Sequence, residues 1–305
     1  MRRFRKPILG ATVFALLLVL SACQTGGERQ TGSEDLPTIT VGVSSEFAEN
    51  QIVAEMYAQV LEAAGYTVER QMTLGSREIS QPALESGEID VKPEYLATLL
   101  LYYNKDATNT TDAAQAAEQL KGFLAEKGVE LLDYSEAVDT NAIVVTKATA
   151  DSRSLTKVSD LQPVAGELVF GGPPECPERP FCIPGLRDTY GLEFKEFKPL
   201  DVGGALTVAA LEGGEIDVAL LFSTSGAIAK KGFVLLEDDK NLQAADNIAP
   251  VVNAEVVTDE IRELLNKVSA ALTTANITEL NARVEVDNED PAEVAKDFLE
   301  QEDLV

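Results

Sequence analysis

Three residue groupings in this 305-residue chain have the types and spacing to do chemistry. The first is a cysteine pair in the proline-rich stretch Gly171-Gly172-Pro173-Pro174-Glu175-Cys176-Pro177-Glu178-Arg179-Pro180-Phe181-Cys182. In an oxidising compartment Cys176 and Cys182 suit a disulfide. The small ring would contribute about 2 kcal/mol on the loop-entropy model and would hold Arg179 on a stiff loop; the alternative is two reduced, buried thiols. The second is Ser154-Leu155-Thr156-Lys157, a Ser-x-x-Lys spacing that could activate a serine nucleophile. Its companions Ser-Asp-Asn and Lys-Thr-Gly are missing, so a hydrolase is the weaker reading. The third, Asp287-Asn288-Glu289-Asp290, gathers carboxylates without the glycine and terminal glutamate of a calcium loop.

Absences narrow the chemistry further. There is no histidine, so no Ser-His-Asp triad, no Cys-His pair and no histidine-ligated metal. There is no tryptophan, so an aromatic ligand wall must come from 7 tyrosines and 11 phenylalanines. No Gly-Lys-Ser/Thr phosphate loop occurs. No enzyme activity, metal or cofactor is expected. The formal charge of −26 excludes general nucleic-acid binding, which needs a basic surface.

Arg2, Arg3, Arg5 and Lys6 precede an apolar run over 8–20 that ends in Leu20-Ser21-Ala22-Cys23. A spanning helix needs roughly 20 apolar residues, so this run is a targeting segment, not an anchor. Its end resembles a bacterial lipobox, which implies cleavage after residue 22 and a lipid on Cys23. The chain left would carry 21 bases against 51 acids. Residues 23–36 read as a flexible tether. The expected location is extracytoplasmic, lipid-anchored at a membrane with the folded part in water.

One internal repeat organises the rest of the chain. Ala83-Leu84-Glu85-Ser86-Gly87-Glu88-Ile89-Asp90-Val91 returns as Ala210-Leu211-Glu212-Gly213-Gly214-Glu215-Ile216-Asp217-Val218. Each copy reads as a helix end, a glycine stop and a buried strand. Each comes after a glycine-containing turn, Leu74-Gly75-Ser76 or Val202-Gly203-Gly204. Around them strands are expected at 38–43, 67–72, 89–92, 129–132, 142–146, 168–170, 216–221, 234–236 and 248–253. Helices are expected at 48–64, 77–86, 111–127, 206–212, 227–230, 259–272, 277–284 and 291–300. This alternation predicts an α/β fold with two mostly parallel sheets. The last three helices have no strands between them and should pack back on the first lobe. The lobes are then 37–140 plus 246–305, and 141–245. Two crossovers between them make a hinge, and the cleft is the expected ligand site.

With these elements in place, the chain resembles the glycine betaine/choline-type osmoprotectant-binding proteins of ABC importers, which have the type II periplasmic-binding-protein fold. The resemblance covers nearly all of 38–300. It rests on Phe47-Ala48-Glu49-Asn50-Gln51-Ile52, the two Gly-Glu-Ile-Asp copies, Pro93-Glu94-Tyr95-Leu96-Ala97-Thr98 and Asp139-Thr140-Asn141-Ala142. It also rests on Glu178-Arg179-Pro180, Leu221-Phe222-Ser223-Thr224 and Leu236-Glu237-Asp238-Asp239-Lys240. It implies a solute-binding lipoprotein that captures a small zwitterionic or cationic solute, acts as a monomer and delivers its ligand to a membrane permease. A sensor on the same fold is the alternative.

A quaternary ammonium donates no hydrogen bond, so aromatic faces must hold it, each worth about 0.5–2 kcal/mol. A betaine carboxylate needs Arg or backbone N–H donors. The resemblance makes Tyr95 a cage wall with Thr98 beside it, Phe222 a second face and Arg179 the carboxylate partner. Tyr95 and Phe222 could equally be core residues, and Arg179 could pair with Glu175 or Glu178 on its own loop. Asp139, Thr140 and Asn141 would offer backbone oxygens at the crossing, and Ser44 and Ser45 donors in the first turn. Phe47, Gly75, Ser76, Tyr134 and Thr224 complete the implied site. Two departures stand out: Ser44-Ser45 where relatives often carry Lys, and no aromatic within Gln243-Ala244-Ala245-Asp246-Asn247.

Overall fold

The computed structural model describes residues 36–43, 47–107, 111–244 and 246–305. Leu36–Val305 is one compact unit. The leader, the tether with Cys23, and Ser44 and Ser45 lie outside the described residues, apart from Leu36 at the tether's end.

The order of elements is β1 (Thr38–Gly42), α1 (Ala48–Ala63), β2 (Thr67–Gln71), α2 (Arg77–Ser86), β3 (Val91–Tyr95), α3 (Leu96–Tyr103), α4 (Ala113–Ala125) and β4 (Val129–Leu131). The chain then builds β5 (Asn141–Thr146), α5 (Lys147–Arg153), β6 (Val169–Gly172), α6 (Ile183–Tyr190), β7 (Glu196–Pro199), α7 (Ala205–Glu212), β8 (Val218–Phe222), α8 (Gly226–Lys230) and β9 (Phe233–Leu235). It returns through β10 (Ile248–Asn253) and closes with α9 (Asp259–Ala271), α10 (Thr274–Glu285) and α11 (Pro291–Gln301).

Two sheets result, ordered β2-β1-β3-β10-β4 and β7-β6-β8-β5-β9. In each, four strands run one way and the strand that has just crossed from the other lobe runs against them: β10 in the first sheet, β5 in the second. The sheets are therefore mixed, and the antiparallel members mark the crossovers. The crossovers are paired with each other. Val138 bridges Asn247, and Asp139 N–H donates to the Asp246 carbonyl at 3.0 Å.

The repeat has the same physical meaning in both lobes. Asp90 accepts the Thr40 N–H at 2.8 Å, and Asp217 accepts the Val169 N–H at 2.9 Å. Each aspartate's own N–H returns the bond to that same residue. One residue earlier, Ile89 and Ile216 press on the neighbouring strand, β1 or β6, at a glycine that lets them approach closely. A Cβ on Gly42 would lie 2.8 Å from Ile89 Cδ1, and one on Gly171 would lie 2.6 Å from Ile216 Cδ1. The motif thus clips a helix end onto the neighbouring strand by a two-way hydrogen bond and a close apolar contact.

The closing helices pack on α1, where Ile261, Leu265, Val268, Ile277, Val294 and Phe298 join its core. α10 also reaches the second lobe. A Cβ on Gly226 would fall 2.3 Å from Ala282, and Glu285 accepts the Ser225 hydroxyl at 2.7 Å. This joint sits beside the crossovers.

Several elements go beyond the expectation. α5, α6 and β7 are short, and their apolar positions are too few to set a period. β3 runs on through Pro93, which lies opposite Pro250. The Pro250 carbonyl faces β4 and accepts the Leu132 N–H at 3.1 Å, so the two prolines form a non-hydrogen-bonded pair and neither interrupts the ladder between β3 and β10. That extension carries Glu94 and Tyr95 to the cleft.

Asp90→Ala and Asp217→Ala should each lower unfolding free energy by about 1–3 kcal/mol, because a partly buried N–H loses its acceptor. Urea denaturation measures this, and parental stability in both variants would remove the clip from the account.

Candidate ligand-binding site

A cavity of about 370 Å³ opens between the sheets at the crossovers. The first lobe lines it with Phe47, Asn50, Ser76, Arg77, Glu78, Tyr95, Thr98, Leu101, Tyr102 and Lys105. The second supplies Glu178, Arg179, Pro180, Phe181, Val202 and Phe222, and the crossovers add Asp139, Thr140, Asn141 and Asp246. Phe47, at the start of α1, stacks on Phe222, at the end of β8, with centroids 4.6 Å apart. Tyr95, ending β3, lies 6.1 Å from Phe47. The three rings form one wall spanning both lobes, with Phe47 and Phe222 in face contact and not parted as opposite sides of a cage.

Behind the wall lies a buried polar cluster. Glu49 Oε1 accepts the Tyr95 hydroxyl at 2.7 Å; Oε2 accepts Asn281 Nδ2 at 2.8 Å and lies 2.6 Å from Thr224 Oγ1. Asp139 Oδ1 is 2.9 Å from the same Oγ1 and also takes the Thr224 N–H and the Ser223 hydroxyl, each at 3.2 Å. Glu49, Asp139 and Thr224 are almost inaccessible to solvent. Burial pushes both carboxyls above their usual range, and for Asp139 the neighbouring Glu49 charge adds to it.

The other side is basic. Arg77 opens α2 and makes a forked bond to Glu94, with Nη2 at 2.7 Å from Oε2, and a second bond to Thr98 Oγ1 at 3.0 Å. Lys92, fully buried, adds a 2.7 Å bond to Glu94 and one of 3.0 Å to Ser80. Burial alone would raise the Glu94 carboxyl, but Arg77 and Lys92 outweigh it and hold it at about 2. Asp246 has no such pair. It accepts the Thr98 N–H in the first turn of α3 at 2.8 Å, and burial raises it to about 7 against the pull of that bond and of Arg77. Arg179 reaches across the cleft to Glu78 at 3.3 Å, its side chain one-third exposed.

Nine of the expected residues line this cavity: Phe47, Ser76, Tyr95, Thr98, Asp139, Thr140, Asn141, Arg179 and Phe222. Gly75 does not line it; at φ +82° it makes the turn that presents Ser76. Thr224 lies beneath the wall, in the buried cluster. Tyr134 is corrected: it comes after the edge strand β4, is 37% exposed and stays away from the cavity. Asp139 turns its carboxylate to Thr224 and Ser223, and Arg179 pairs with the opposite lobe, not with its own loop. Cys176 and Cys182 are disulfide-bonded, their Cα atoms 5.2 Å apart, within the second lobe's core.

Asn50, Arg77 and Asp246 line the cavity unforeseen, and Glu49 supports it. Glu49 and Asn50 stood inside the Phe47 motif and Arg77 directly after Gly75-Ser76, so position could have flagged them. Among the described residues no acid–cysteine cluster is placed to hold a metal ion.

A cleft of this kind, with an aromatic wall and compensated charges at a pair of crossover strands, defines a solute-binding protein of the two-lobed α/β class. Residues 37–301 match the model for the substrate-binding domain of the ABC-type glycine betaine transport system, and the chain belongs to that family. It is 29% identical over 302 residues to a glycine-betaine-binding protein of Pseudomonas aeruginosa, covering 94% of this chain and 96% of that one. It is 28% identical over 290 residues to a carnitine transport binding protein of Listeria monocytogenes, covering 93% and 92%. A crystal structure of a glycine betaine/carnitine/choline ABC transporter superposes with a TM-score of 0.69 at 27% identity, over 87% of this chain and 99% of that one. The chain's role is that of the family, to bind its solute and deliver it to the permease.

Asp246→Asn keeps an acceptor for the Thr98 N–H and removes an acid whose pKa folding raises. Such an acid favours the folded state below its unfolded pKa and loses that advantage as pH rises through about 7. The variant should therefore gain stability over the parent, by about 2–4 kcal/mol at pH 8 and little at pH 4. Urea curves at both values test this, and a pH-independent difference would refute it. Arg77→Ala should cost about 3–5 kcal/mol by stripping Glu94 of its main partner, measured the same way.

Proposed function

We propose that the ligand is a quaternary ammonium compound, zwitterionic or cationic, held with its ammonium on the Tyr95–Phe47–Phe222 wall. The observation that carries this is the wall itself, drawn from both lobes and backed by the Glu49 and Asp139 carboxyls. Aromatic faces attract a cation that cannot hydrogen-bond, and nearby acids add to that attraction. Arg179 takes the carboxylate of a betaine or carnitine, exchanging its long bond to Glu78 for the ligand. Burial and the Arg77 charge lower the Arg179 pKa, so an anion arriving there is welcome.

The lobes move as 37–140 with 246–305 against 141–245, a division that sheet membership supports. The protein acts as a monomer, held at the membrane through lipid on Cys23, and performs no catalysis.

Titration calorimetry with glycine betaine, carnitine, choline and proline tests the ligand class. Micromolar binding of a quaternary ammonium, with proline silent, is the expected result. Tyr95→Ala should weaken binding more than tenfold for every ligand that binds, and Arg179→Ala should do so only for those with a carboxylate. Unchanged affinity in both variants would refute the site. A Cys23→Ala chain that still incorporates labelled fatty acid would refute the anchor.

A further inference from the structure

The hydrogens around Thr224 do not balance if Glu49 and Asp139 are both ionised. Thr224 Oγ1 lies at hydrogen-bond distance from both, 2.6 Å from Glu49 Oε2 and 2.9 Å from Asp139 Oδ1. One hydroxyl hydrogen serves one of them. The other contact would then set oxygen lone pairs against each other in a site closed to solvent, unless a second hydrogen lies on a carboxyl. Asp139 Oδ1 already accepts the Thr224 N–H and the Ser223 hydroxyl. The chain Glu49–OH to Thr224 Oγ1–H to Asp139 carboxylate satisfies every donor and acceptor named.

The surroundings add negative charge. Glu285 of α10 faces Glu49 and Asp246 of the return crossover acts on Asp139, while Tyr95 of β3 stays neutral and donates its hydroxyl to Glu49. Arg77 of α2 is held by Glu94. Burial raises both carboxyls of the pair, in keeping with a retained proton. Asp139 also lines the cavity beside Phe47, Tyr95 and Phe222, so a cation on the wall lies next to the buried pair behind it.

We propose that Glu49 and Asp139 share one proton through Thr224 in the unliganded protein and release it to solvent when a cationic head group occupies the wall. The site then exchanges one positive charge for another. No bond other than the O–H bond breaks; the pair goes from one negative charge to two, and the ligand's ammonium offsets the second. This rests on the ligand class proposed above and deepens it. A zwitterion with its carboxylate at Arg179 still places an ammonium on the wall and releases the proton. A neutral ligand of the same shape does not. Because binding releases a proton, affinity for the cation rises with pH, by up to about tenfold per unit while the pair stays protonated.

Calorimetry of the purified protein at pH 7, in buffers of different ionisation enthalpy, counts protons directly. Choline, glycine betaine and the neutral carbon isostere of choline are the probes. The expected result is release of about 0.5–1 proton with choline and glycine betaine, and none with the isostere. Binding of choline or glycine betaine without release overturns the proposal and leaves the ligand class standing. Glu49→Gln, whose amide can still donate to Thr224, should bind choline more weakly, with one acid fewer behind the wall, and release no proton in the binding that remains; a merely structural role for Glu49 would shift affinity and leave the proton count unchanged. Thr224→Ser should behave as the parent. Difference infrared spectroscopy of the unliganded protein gives a ligand-free arm. In the Asp246→Asn background, which removes the other buried acid titrating at about 7, a protonated-carboxyl band at neutral pH, lost on adding Glu49→Gln, is expected, and its absence overturns the proposal even where no probe binds. A band present with both charged probes silent overturns the ligand class and the exchange with it.

Discussion

Four carboxyl groups are buried where the two lobes meet, and the architecture of the cleft depends on how each is compensated. An isolated ionised carboxylate in a protein interior costs several kcal/mol. Glu94 is neutralised twice, by Arg77 and Lys92, which fixes the start of α2 against the end of β3 and aims Tyr95. Asp246 is set against the first turn of α3, so the return crossover is tied to the helix that comes after Tyr95. Glu49 and Asp139 are bridged by one threonine hydroxyl, and that threonine comes from the other lobe. The aromatic wall is thus backed by hydrogen bonds that each involve an acid. A cleft meant for a positively charged head group benefits from these acids once the ligand arrives, and the protein pays for holding them while it is absent.

Much of the scaffold was legible because its signals are local. The Gly-Glu-Ile-Asp repeat encodes a helix stop, a strand start and a two-way hydrogen bond in four residues, so its two copies identify two equivalent lobes. α2 and β10 fall where their patterns end, at Arg77–Ser86 and Ile248–Asn253. α3 is harder to delimit: Leu96, Ala97, Leu99, Leu100 and Leu101 are buried nearly all round, so no polar face sets a period. Pro93 looked like a strand end and is not one, because its facing partner is also a proline.

The site divides in the same way. Tyr95, Phe47, Phe222 and Arg179 stood in motifs whose order carries the resemblance, and the fold gathers them. Glu49, Glu94 and Asp139 stood in the same motifs, but only Asp139 was expected at the site, and Asp246 stood in none of the motifs. In a chain with 51 acids, composition does not say which few are buried. Only the fold shows that Glu49, half a turn beyond Phe47, faces inward under the wall. Tyr134 shows the opposite failure: an aromatic of the right type, placed by its edge strand at the surface.

The position of β10 has a consequence for the order in which the chain can fold. Among the strands of the described residues β4 bonds only to β10, yet more than a hundred residues separate them. As the chain emerges, the second lobe receives all five of its strands, β5 to β9, in one uninterrupted stretch. The first lobe must hold β4 unpaired through that whole interval, with its α1 surface uncovered until α9, α10 and α11 appear. The lobe begun first is finished last, and closing it requires the longest-range contacts in the molecule, the kind that slow folding and leave strand edges open to other chains.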